Sequence, residues 1–141
     1  MRRDLHCHRQ DLPLRQSSSE AAMTAILAAW LLLTPAPCAT PLACAIEHVE
    51  SRGNTWAVSA VGARGLRQVM PHVARVPSWL LHVPVVGRAE GDRVLGRWLA
   101  RCGGRQRCAL RAYACGNRAL RDARACGRYA DAVMAARGGE R

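Results

Sequence analysis

A small, mainly α-helical domain is what this sequence predicts, and three observations predict it. Val94 to Arg101 carries apolar residues at 94, 95, 98 and 99 with arginines opposite, the period of a half-buried helix. Cys108–Cys115 and Arg128–Arg137 read as two more helices, punctuated by Gly103-Gly104 and Gly116-Asn117. No strand-like alternation persists anywhere in residues 90–141. These helices are expected to pack around an earlier one that carries Glu50 near its C-terminal end.

At 141 residues the chain holds one domain. Residues 1–20 are polar, mixed in charge and without period. Ala21–Leu33 is a continuous apolar run, too short for a bilayer-spanning helix, which needs about 20 residues. It suits the apolar region of a signal peptide, and Thr34-Pro35-Ala36-Pro37-Cys38-Ala39 has the small-residue character of a cleavage zone. Against this, the preceding segment is long and contains Asp4, Asp11 and Glu20; the alternative is a buried core helix. The expected division is therefore a leader with a signal peptide over 1–39, a domain over 40–137 and a polar tail over 138–141. The protein is expected to be exported to the periplasm or cell envelope, with no stable membrane span.

Seven cysteines are many for a reducing cytoplasm. Cys102, Cys108, Cys115 and Cys126 show no C-x-x-C spacing of a structural zinc site and allow three pairings. The sequence-local choice is Cys102–Cys108 with Cys115–Cys126, and Cys44 either pairs with Cys38 or is buried; all could equally be core fillers. The formal net charge of +11, carried by arginine, points to anionic partners. With no Phe and only two Tyr, the aromatic platforms of single-strand nucleic-acid binders are scarce.

The stretch Ile46–Pro71, IEHVESRGNTWAVSAVGARGLRQVMP, is where chemistry concentrates. A short apolar-faced helix bears Glu50, a turn follows at Ser51-Arg52-Gly53-Asn54, and a small-residue segment returns through Gly62 and Gly65. Such a loop can place one carboxyl in a partly dry cleft, where its pKa rises enough for general acid work. Glu47 is expected to be a solvated surface acid. Beyond Pro71, Pro77 and Pro84 break any long helix, leaving short turns, and Gly87–Asp92 reads as a polar linker. His72 and His82 have no carboxylate or cysteine at ligand spacing, so no metal and no cofactor is expected.

The wording Glu50-Ser51, Asn54, Ala57-Val58-Ser59, Gly62-Ala63, Gly65-Leu66, Gln68 and Met70-Pro71 resembles the catalytic core of the soluble lytic transglycosylases, glycoside hydrolase family 23, related to goose-type lysozyme. Thr55 stands where proline is usual, which should loosen the turn, and Arg67 where methionine is usual. Asp92–Leu99, Ala109–Tyr113 and Tyr129 with Val133 extend the resemblance more loosely, with Ala114-Cys115 replacing the Asn-Ala of an AYNAG motif. The resemblance implies a lysozyme-like helical fold with a cleft. It implies Glu50 as catalytic acid and base, Ser59 near the substrate N-acetyl group, Gln68 and Met70 lining the cleft, and Tyr113 orienting the glutamate or intermediate.

The activity so implied is cleavage of the β-1,4 bond between N-acetylmuramic acid and N-acetylglucosamine, with formation of 1,6-anhydromuramoyl ends. Peptidoglycan strands would be the partner of a monomer, local opening of the wall for an envelope-spanning assembly its setting, and nucleic acid is not expected. The alternatives are a muramidase of the same fold and a non-catalytic basic protein that binds cell wall or nucleic acid.

Overall fold

The computed structural model describes residues 22–27, 29 and 38–139. The reading of residues 1–20, and of the cleavage zone up to Pro37, lies outside the described residues. Within the apolar run, residues 22–27 and 29 are helical and exposed. Among the described residues no helix is long and apolar enough to cross a membrane.

The domain is mainly helical, with no β-strand among the described residues. Helix α1 is Pro41–Ser51. Pro41 suits a first helical position because its missing N–H would have no helical partner there. The Thr40 hydroxyl accepts the Ala43 N–H at 3.1 Å and caps the turn. A 3-10 helix, Ser78–His82, leads into α2, Pro84–Arg101. Helices α3 (Gln106–Cys115), α4 (Arg118–Arg121) and α5 (Gly127–Gly138) follow. Helix α1 packs mainly on α5, and α3 lies against α2, α4 and α5. Ile46, Leu81, Leu110 and Val133 are fully buried where these elements meet, and Trp98 closes the core from α2.

The expected linker Gly87–Asp92 is instead the middle of α2. Its glycines serve close approach: a Cβ at Gly87 would stand 2.5 Å from the Leu81 carbonyl oxygen, and one at Gly91 would stand 2.5 Å from the Arg67 Cβ. Composition reads such glycines as breakers, whereas packing makes them contact points. Helix α2 begins at Pro84, ten residues before the expected Val94, because a proline in the first turn starts a helix instead of breaking it. The expectations at Cys108–Cys115 and Arg128–Arg137 hold to within two residues, and α4 is an addition.

Between α1 and the 3-10 helix the chain folds on itself through antiparallel bridges pairing Val58 with Arg64 and Arg64 with Val69. Gly65 has φ +73, and a Cβ there would run into the Leu81 carbonyl oxygen, so no other residue fits without a backbone shift. The turn at Thr55 is not loosened by the missing proline. The Thr55 hydroxyl donates to the His82 carbonyl, and the His82 Nδ1 lies 2.9 Å from the Thr55 carbonyl oxygen. Trp56 stacks on His82 with ring centroids 5.4 Å apart.

Among the described residues three disulfides join Cys38–Cys44, Cys102–Cys108 and Cys115–Cys126. They fasten the entry to α1, the α2–α3 turn, and the end of α3 to the start of α5. Peptide mapping without reductant should recover these three pairs, and each should be worth about 2–4 kcal/mol in denaturant melts. Free thiols, with stability unchanged by reductant, would mean that the six cysteines are only packed.

Candidate active site

Glu50 is the penultimate residue of α1, which stops because Arg52 turns left-handed at φ 52 and returns its N–H to the His48 carbonyl. The Ser51 hydroxyl bonds the Leu66 carbonyl at 2.9 Å, fixing the helix end to the glycine-rich return loop. From α5, the Tyr129 hydroxyl donates to Glu50 Oε1 at 2.6 Å. Burial pushes the Glu50 carboxyl above its ordinary value of 4.5, while the Tyr129 bond and the nearby Arg67 charge pull it back part of the way. Burial and the Glu50 charge raise the Tyr113 and Tyr129 hydroxyls well above the usual phenol value, so both remain donors at neutral pH.

Tyr113 does not bond Glu50; its hydroxyl donates to the Arg67 carbonyl at 2.8 Å. The direct partner, Tyr129, is one of only two tyrosines in the chain. Its place with Val133 in the looser part of the resemblance was a usable signal, but only the packing of α5 on α1 reveals the bond.

Gln68, Met70 and Tyr113 share the wall of one cavity of ≈ 180 Å³, with Trp98, His72 and Arg97. Gln68 sits at φ 46, and its Nε2 donates to the Gly65 and Ala57 carbonyls at 2.9 and 3.2 Å, so it also braces the loop. Ser59 stands apart from that wall: its hydroxyl accepts the Ala63 N–H at 3.0 Å and caps the turn. Among the described residues no group of three His, Cys, Asp or Glu side chains could hold a metal ion.

Glu47 is not a solvated surface acid. It is buried, and Arg88 grips it with Nε to Oε2 at 2.9 Å and Nη2 to Oε1 at 2.8 Å. Three residues before Glu50, it lies on the part of α1 that meets the arginines of α2 and the return loop. Arg67, 1% exposed, places Nε 3.7 Å from Glu47 and Nη2 3.0 Å from Asp92. The position where the resemblance expects methionine thus holds a buried cation, and Gly91 leaves room for its stem.

Over residues 38–131, well over half its length, the sequence matches the family model of the transglycosylase SLT domain. The chain belongs to this family. The SLT domain implies peptidoglycan as substrate. A comparison with curated proteins finds no match.

The ion pairs around the SLT site make a prediction about Glu47. Removing one member of a buried pair strands the other, at a cost of about 3–5 kcal/mol. Glu47→Gln should lose about 3 kcal/mol in urea unfolding, the low end of that range, because Arg88 keeps some access to water. A loss under about 1 kcal/mol, the range of exposed pairs, would return Glu47 to the surface role expected from sequence.

Proposed function

We propose that this SLT domain cleaves the glycosidic bond between N-acetylmuramic acid and N-acetylglucosamine by lytic transglycosylation, with Glu50 as sole proton carrier. The observation that carries this reading is the half-buried Glu50 carboxyl, raised in pKa by desolvation and held by Tyr129. Ordinary glycoside hydrolysis uses a second carboxylate about 5–9.5 Å from the acid. Among the described residues the acids close in the fold are committed elsewhere, Glu47 to Arg88 and Asp92 to Arg67.

Protonated Glu50 gives its proton to the glycosidic oxygen as the bond to C1 breaks. The substrate's 2-acetamido group stabilises the electron-poor C1. Glu50, now a carboxylate, takes the proton of the C6 hydroxyl while that oxygen bonds to C1, closing a 1,6-anhydro ring. No water is consumed, and Glu50 ends as it began. Tyr129 holds the carboxyl in place for both transfers. Ser59, Gln68, Met70 and Tyr113 are assigned to binding and shaping the glycan cleft.

The reading extends to export into the periplasm or cell envelope, supported by the three disulfides and the apolar run before residue 38. An envelope-spanning assembly is a setting in which so small a domain would serve. A cytoplasmic protein with free thiols would overturn this extension.

Glu50→Gln should keep the fold and wall binding while losing about 10⁴-fold in turnover, the upper end for general acid–base work, because one residue serves both steps. Wild-type products should carry 1,6-anhydro ends that resist borohydride. Reducible ends would make the protein a muramidase. Equal activity of variant and wild type would remove Glu50 from the chemistry, and wall binding with no release by either would replace catalysis with the binding-protein reading.

A further inference from the structure

Beyond α3 the chain builds a second recess, ≈ 490 Å³, whose wall includes Tyr129, Arg118, Arg124 and Arg128. Tyr129 is also the residue that bonds Glu50, so one side chain links the recess to the candidate active site. All three arginines are exposed, and no hydrogen bond or ion pair joins their guanidinium groups to another described residue. Arginines deeper in the fold are engaged, Arg67 with Asp92, Arg88 with Glu47 and Arg93 with Glu90. The one acid in the recess, Asp122, is used locally: its Oδ1 accepts the Arg124 backbone N–H at 2.8 Å.

The backbone that carries these arginines is braced from within. The Cys115–Cys126 disulfide ties the loop's two ends together. Arg111 reaches from α3 to the Ala123 and Ala119 carbonyls at 2.5 and 2.7 Å. A recess fixed in this way orders fewer groups when a ligand arrives, which favours binding. With three guanidinium groups against one carboxylate, its chemistry favours an anion, and the planar fork of arginine matches a carboxylate in particular.

We propose that this recess is a subsite for the carboxylates of the peptide side chains that a peptidoglycan strand carries, so that the domain reads the peptide as well as the sugar. The inference rests on the glycan-cleaving reading for its substrate. Its test uses binding, so the two can fail separately.

The Glu50→Gln protein is titrated with purified glycan strands bearing their peptides and with the same strands stripped of peptide by an amidase. The peptide-bearing strands should bind about tenfold more tightly, a modest margin suited to exposed charge-assisted bonds, and the margin should shrink with added salt. Adding Arg124→Gln and Arg128→Gln should abolish the margin and leave the stripped strands bound as before. Adding Arg121→Gln and Arg137→Gln, which remove the same charge outside the recess, should preserve it. The proposal is overturned by no margin, by a margin that survives the recess variant, or by equal weakening on both strands. It is also overturned if the recess variant weakens only the binding of a single-stranded DNA oligonucleotide, which would make the recess a general polyanion patch. Whether the wild-type protein then releases anhydro products is a separate result, bearing on the catalytic reading alone.

Discussion

The contact on which the site depends is the packing of α1 against α5, because it alone brings the Tyr129 hydroxyl to Glu50. Neither residue is unusual by itself. A glutamate one residue from a helix end is commonly solvated, and a tyrosine early in a helix is commonly half-buried. Together, with Val133 and Ile46 sealing the interface, they leave a carboxyl that is desolvated yet oriented. Desolvation favours the protonated acid and the phenol favours the carboxylate, with desolvation the larger influence. A group raised in this way binds its proton more readily folded than unfolded. The folded state therefore loses stability as pH rises through that interval, a cost accepted at a site that needs an acid.

Arg67 has to be accounted for in the same balance. A lone guanidinium buried near Glu50 would hold the carboxyl ionised and work against its use as an acid. Here Glu47 and Asp92 face Arg67, and Arg88 faces Glu47, so two buried or half-buried cations meet two anions. Arg67 still draws the Glu50 value down, but less than burial raises it. Its backbone carbonyl also receives Tyr113, so the residue couples the wall of the cleft to the charge network beneath it.

Much of this was legible in the sequence. The helix carrying Glu50, the helices after residue 94 and the glycine stops all follow local rules, and the sequence-local cysteine pairs are those formed. What was not legible lies where distant residues meet. Gly87 and Gly91 look like a linker until Leu81 and Arg67 occupy the space their side chains would need. Glu47 looks exposed until α2 brings Arg88, forty-one positions away, against it. Tyr129 and Glu50 are seventy-nine positions apart, and a motif could align both without saying that they touch. Thr55 compensates for a missing proline through a bond to His82 that no local pattern contains.

The central claim, that the fold makes Glu50 a stronger holder of its proton than a free glutamate, can be measured without substrate. Carbon-13 NMR of the side-chain carboxyl groups, assigned with Glu50→Gln as the blank, gives its titration midpoint directly. The account predicts a midpoint above 4.5, moving higher still in Tyr129→Phe because the phenol's bond favours the ionised form. A midpoint at or below 4.5 in the native protein would contradict it.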